Sequence, residues 1–163
     1  QATALLEIIE SRNAYAEENR YLPVIADGGI STPAGIAMAL AMGADSVMMG
    51  NYFARLSESP GSLQQINGKP MKEYWMEGSK RGANLRRYNH RPETFFEEGI
   101  DGYVPYAGSI YDVLPVAVQR LKATLSTAGV ATLGDLHNRA ILELQSAAAL
   151  GDSSVHNMVR ATG

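Results

Sequence analysis

"VIADGGISTPAGIAMALAMGADSVMMGN", residues 24–51, decides the fold. Two short apolar runs, one stopped by Asp27, Gly28 and Gly29 and the other by Gly50, flank a stretch with helical spacing. An apolar run halted by an aspartate and two glycines suits a strand buried in a parallel sheet. Ser31 or Thr32 can cap the intervening helix, Pro33 is tolerated in its first turn, and Gly43 closes it after Met42. Upstream, residues 2–19 place Leu5, Leu6, Ile8 and Ile9 among Glu7, Glu10, Arg12, Glu17 and Glu18, the spacing of a helix that buries one side. Helix, strand, helix, strand with short connections is the grammar of βαβ units and a parallel sheet, so the chain reads as α/β.

After Gly50 the grammar changes. Residues 51–110 show one short helical pattern, "NYFARLSES", and then a long stretch of glycine, charge and aromatics with no sustained period. Ten of the twelve aromatic residues lie between Asn51 and Tyr111, which is too aromatic for a disordered linker. A segment this long inside a compact domain reads as a lid or binding loop. "SIYDVLPVAVQRLKATLSTAGV" resumes helical spacing, with Val113, Leu114, Val116, Ala117, Leu121 and Leu125 on roughly one face and Pro115 in the first turn. "TLGDLHNRA" begins like a further short helix. The expected organisation is therefore helix and strand units over residues 1–50, a phosphate loop, short helix and flap over 51–110, and C-terminal helices and tail over 111–163.

Composition narrows the class. The 163 residues suit one domain, with 45% hydrophobic and 19% charged residues. A net charge of -3 predicts no attraction to nucleic acid or anionic membrane, and no apolar run approaches the length of a membrane span. We read the chain as cytoplasmic. The absence of cysteine excludes disulfides, thiolate metal sites and cysteine nucleophiles within these residues. The sequence opens on Gln1 and runs straight into a helical pattern, as a piece of a longer protein would.

Glycine at a strand end lets backbone N–H groups approach a ligand with no Cβ in the way. In (β/α)8 barrels the loops after the last two strands and the start of a short extra helix form a common phosphate site. Gly28 and Gly29 supply one such loop, Gly50 and Asn51 the other, and "YFARLSES" the helix whose N-terminus favours an anion. The glycines alone would serve equally well as tight turns. Asp27 tips the reading toward a nucleotide, because its carboxylate suits a pair of sugar hydroxyls better than a phosphate.

These residues carry a family resemblance. "ADGGI", "ALAMGADSVMMG", "MKEYWMEGS", "RRY", "EEGIDGYVPYAG" and a closing "HN" resemble, in order and spacing, the C-terminal part of IMP dehydrogenase. The resemblance covers nearly the whole chain. It implies the C-terminal portion of a (β/α)8 TIM barrel with a long flap inserted after the last strand. It also implies oxidation of IMP to XMP with NAD in guanine nucleotide biosynthesis, and a homotetramer. By position, Asp27 would hold the ribose; Gly28, Gly29, Gly50 and Asn51 would surround the phosphate, joined by the Tyr74 hydroxyl. Trp75, Met76, Glu77 and Gly78 match the segment along the purine, and Glu98 the acceptor for its N1–H. Family members often carry serine or arginine at the position of Asn51, an Arg-Gly-Met stretch near Trp75 and Met76, and glutamine at Glu98.

Arg87 and Tyr88 lie in "SKRGANLRRYNHR", which has five Lys or Arg residues and no acid, and which spacing alone reads as a solvated basic face. The resemblance instead makes this pair the flap residues that activate water against a covalent enzyme–XMP intermediate. Asp152, Ser153 and Ser154, by themselves a polar turn, match a segment that lends carbonyls to a potassium ion, ligands that suit a hard cation. His90, His137 and His156 lack metal-ligand spacing and read as surface or packing residues. The family's nucleophile is a cysteine on a loop preceding the first helix here. The expected partner is accordingly a missing N-terminal barrel segment, and the chain alone is expected to be inactive. GMP reductase shares the phosphate loops but lacks the Arg-Tyr pair, so "RRY" favours the dehydrogenase. A non-catalytic nucleotide-binding or assembly fragment is the reading from another class.

Overall fold

A computed structural model describes residues 1–84 and 99–146. The N-terminal part follows the expected order. Helix α1 (Ala2–Glu18) leads to strand β1 (Ile25–Asp27), helix α2 (Pro33–Ala41) and strand β2 (Ser46–Met48). The strands pair in parallel, Ile25 with Ser46, Ala26 with Val47 and Asp27 with Met48. Thr32 caps α2 by accepting from the Gly35 amide at 3.1 Å, Pro33 occupies the first turn, and Gly43 follows the helix at φ +103°. An added Cβ at Gly43 would lie 2.8 Å from Ile9 Cγ2, so this glycine serves both the left-handed turn and the approach of α1.

The core gathers on one side of this small sheet. Ile36 and Leu40 of α2 pack with Val130 and Leu136, and Val47, Leu121 and Leu125 close around them. Helices α5 (Ile110–Thr127) and α6 (Leu133–Arg139) supply that outer layer. His137 packs there and pairs with the Ala44 carbonyl at 3.1 Å, as its packing role requires. The opposite face of the sheet is open: Ile25 is 56% and Met48 51% exposed, contrary to the fully buried strands that their sequence predicts. Helix α1 departs from expectation in the same way. Only Ile9 and Arg12 of α1 are buried, whereas Leu6 and Ile8 are exposed.

Arg12 anchors α1 instead. Its guanidinium donates to the Tyr21 hydroxyl at 2.6 Å, Asp45 Oδ2 at 3.0 Å and the Gly43 carbonyl at 3.3 Å. Asp45 also accepts from the Tyr21 hydroxyl and from the Val24 amide at 2.7 Å. Burial pushes the Asp45 carboxyl up, but the Tyr21 and Val24 hydrogen bonds and the Arg12 charge outweigh it and hold the group below the ordinary aspartate value.

The segment read as a lid or flap without sustained period contains a three-stranded sheet. After helix α3 (Gly50–Ala54), strands β3 (Leu63–Ile66), β4 (Lys69–Trp75) and β5 (Asp101–Pro105) form an antiparallel meander in the order β3-β4-β5. Asn67 at φ 52° and Gly68 at φ 74° make the β3–β4 turn, the two positive φ angles that a tight hairpin demands. Buried Lys72 ties β4 to the preceding loop by donating to the Ser59 carbonyl at 2.8 Å. Part of the basic stretch is helical, since α4 spans Lys80–Asn84 and buried Ser79 accepts from the Gly82 amide. Helix α5 starts at Ile110, capped by Ser109, so Pro115 stands inside the helix and not in its first turn.

Candidate active site

The carboxyl ends of the two parallel strands and the end of β4 from the antiparallel sheet meet at one cavity of about 480 Å³. Asp27, Gly28, Gly29, Gly50, Asn51, Tyr74 and Met76 line it, all of them residues singled out in the sequence. Local chemistry explains each placement. Asp27 is the last residue of β1, on the open face of the sheet, and its register partner is Met48. Gly28 and Gly29 turn the chain away at φ +116° and +70°, conformations that cost L-residues with side chains. Gly50 opens α3, whose first-turn N–H groups have no acceptor within the helix.

Tyr74 joins the layers. It projects from β4 so closely over Gly50 that a Cβ there would sit 2.8 Å from its hydroxyl oxygen. Among the described residues, Asp27 is the one charged residue that lines the cavity. An anion in it would therefore rely on backbone N–H groups, the start of α3 and the Tyr74 hydroxyl, while Asp27 offers a carboxylate to hydroxyl groups.

Other expected residues fall elsewhere. Trp75 points away from this cavity; its ring carries the Arg81 guanidinium 4.2 Å from its centroid, and it borders a second, mostly apolar cavity of about 400 Å³ that shares Gly50 and Tyr74. Glu77 and Gly78 lie in the turn after β4 and do not line the 480 Å³ cavity. Gly78 gives its carbonyl to the Gly99 amide at 3.0 Å. Arg87, Tyr88, Glu98, Asp152, Ser153 and Ser154, like His90 and His156, lie outside the described residues. The sequence reading missed Ile30, Ser31 and Met48 as lining residues. The signal was present for Met48, since adjacent parallel strands end level with one another and Asp27 already marked that end.

No group of three or more His, Cys, Asp or Glu with metal-holding geometry occurs among the described residues. None of the described helices is long and apolar enough to cross a membrane.

Parallel strands with glycine loops at their carboxyl ends, opening on a shared cavity, make this a mixed α/β unit with a candidate ligand site. A sequence model described as the IMP dehydrogenase / GMP reductase domain matches residues 1–156, and the chain belongs to that family. It is 42% identical over 162 residues to an inosine-5'-monophosphate dehydrogenase of Tritrichomonas foetus, covering 98% of this chain and 32% of that protein. The corresponding enzyme of Borreliella burgdorferi is 36% identical over 169 residues, covering 99% of this chain and 41% of that protein. One from Korarchaeum cryptofilum is 35% identical over 161 residues, 96% of this chain and 34% of that protein. The chain thus spans roughly a third to two fifths of the length of these curated relatives.

Proposed function

We propose that this chain forms the nucleotide-binding part of an IMP dehydrogenase, the C-terminal portion of its (β/α)8 barrel together with the flap. The observation that carries the reading is the convergence of Asp27, Gly29, Gly50, Asn51 and Tyr74 on one cavity. In this reading Asp27 holds the ribose hydroxyls, and the phosphate takes the N–H groups of Gly29, Gly50 and Asn51 with the Tyr74 hydroxyl. Met76 and the Glu77–Gly78 backbone run toward the purine, and Glu98 accepts its N1–H. NAD, when bound, accepts the hydride.

Arg87 and Tyr88 are assigned to water activation, with Tyr88 helping to hold the arginine. An arginine acts as a base only where desolvation depresses its pKa, which the closed flap would provide. The nucleophilic cysteine, absent from these residues, belongs to a preceding barrel segment. The assembly is a tetramer with potassium at Asp152, Ser153 and Ser154. The family description also names GMP reductase, but the Arg87-Tyr88 pair favours the dehydrogenase, because a reductase has no water to activate.

NADH formation from IMP and NAD, followed by absorbance on the chain joined to its preceding barrel segment, tests the reading. Activity is expected there and not with the chain alone; turnover of GMP with NADPH instead would overturn it. Arg87→Gln should leave the burst of NADH intact and slow XMP release by about 10²-fold or more. Equal loss of both steps would remove Arg87 from the hydrolytic role.

A further inference from the structure

We propose that a separate cavity, between the start of α2, helix α3 and the first half of α5, is a second anion site that takes a phosphate-sized oxyanion. Its volume is about 460 Å³, and its polar lining includes Ser31, Thr32, Arg55, Asp112 and Arg120. Two arginines thus border it, one just after α3 and one on α5. Arg55 follows α3 directly and is only partly exposed, yet its buried Nε has no hydrogen-bond partner among the described residues. The neighbouring Tyr52 ring, 6.0 Å away at its centroid, is a weak substitute for an acceptor.

Neither arginine takes part in an ion pair among the described residues, although Asp112 lines the same cavity. The three charges leave an excess of positive charge around a cavity large enough for a ligand. A partly desolvated guanidinium with an unpaired N–H is costly to keep, and an oxyanion matches its fork of donors. At the start of α2, Pro33 has no N–H and the Gly35 amide is already held by Thr32, which leaves the Ala34 amide and the helix dipole as a minor contribution beside the two arginines. Ser31 borders both this cavity and the nucleotide cavity, which lie on opposite sides of the loop after Gly29.

The test uses the full protein, chain plus preceding barrel segment, saturated with IMP so that the nucleotide cavity is filled. Its melting temperature is followed against inorganic phosphate, with sodium chloride at matched ionic strength as the control. We expect a saturable rise beyond that of chloride, with Arg120→Gln and Arg55→Gln each weakening the apparent phosphate affinity on the order of tenfold. Arg120 is exposed, so Arg120→Gln should fold normally and keep its KM for IMP. A response equal to that of chloride, one abolished by IMP, or one unchanged in both variants overturns the inference. An arginine-dependent phosphate response in a protein indifferent to IMP would uphold this site and overturn the nucleotide reading.

Discussion

At Gly50 a single hydrogen in place of a side chain decides whether the Tyr74 hydroxyl can approach the start of α3. An alanine methyl there would lie 2.8 Å from the Tyr74 hydroxyl and 3.9 Å from the ring carbon that bears it. Gly50→Ala should therefore raise the KM for IMP at least tenfold, the loss of about one charge-assisted hydrogen bond and its loop geometry. In the Gly50→Ala, Tyr74→Phe double variant the contact relaxes to ordinary packing, so the two effects should fall short of additive; strict additivity in a double-mutant cycle would separate the two residues. Away from the site, Asp45→Asn removes the half-buried carboxylate charge opposite buried Arg12 and one of the two oxygens that serve Arg12 and Tyr21, and should destabilise by about 1 to 3 kcal/mol, measured by urea unfolding of the assembled protein. Because the folded Asp45 carboxyl lies below its ordinary value, its contribution is present above that value and is lost as pH falls through the folded one. Stability should thus decline on acidification below about pH 4, and less steeply in Asp45→Asn. Glu58 and Glu73 are likewise held low, by hydrogen bonds from Ser109 and Ser62 respectively, so some slope remains in the variant.

Elements were legible in the sequence where local chemistry alone shapes them. Thr32 with Pro33, and Gly43 after Met42, begin and end α2 as their residue types require. The meander was not legible, because β3 and β4 show no clean alternation of buried and exposed residues. Only Asn67-Gly68 announced it, and an Asn-Gly pair between strand-forming runs is the strongest short hairpin signal. The position of Gly61 is a tertiary fact: a Cβ there would clash with the Glu73 carbonyl. Gly61→Ala should destabilise by about 2 to 4 kcal/mol, and unchanged thermal unfolding would refute that close approach. Pro115 was misplaced because the capping residue is Ser109, which accepts from the Tyr111 amide at 3.2 Å and starts α5 early. Pro115→Ala restores a helical N–H and should stabilise by about 1 kcal/mol, read as a higher melting temperature.

For the whole molecule, the decisive feature is the apolar surface that stays uncovered. Leu6, Ile8, Ile25, Met38 and Met48 are each about half exposed, and the β1–β2 pair offers two unpaired edges. Such a surface suits a part of a larger parallel sheet. The isolated chain should bind a hydrophobic dye and unfold without a sharp transition, whereas a compact, cooperative monomer in sedimentation and circular dichroism would contradict this expectation. The sequence by itself determined the glycine-ended strands, the helix between them and the identity of Asp27, Gly29 and Gly50 as site candidates, because turn and cap chemistry act over a few residues; Tyr74 became a candidate through the family resemblance alone. Only the tertiary structure decided that Tyr74 arrives over Gly50, that Trp75 faces away, and that Arg55 and Arg120 border one cavity. Those placements depend on how strands far apart in the chain pair and on which face each then presents, and no local spacing encodes that.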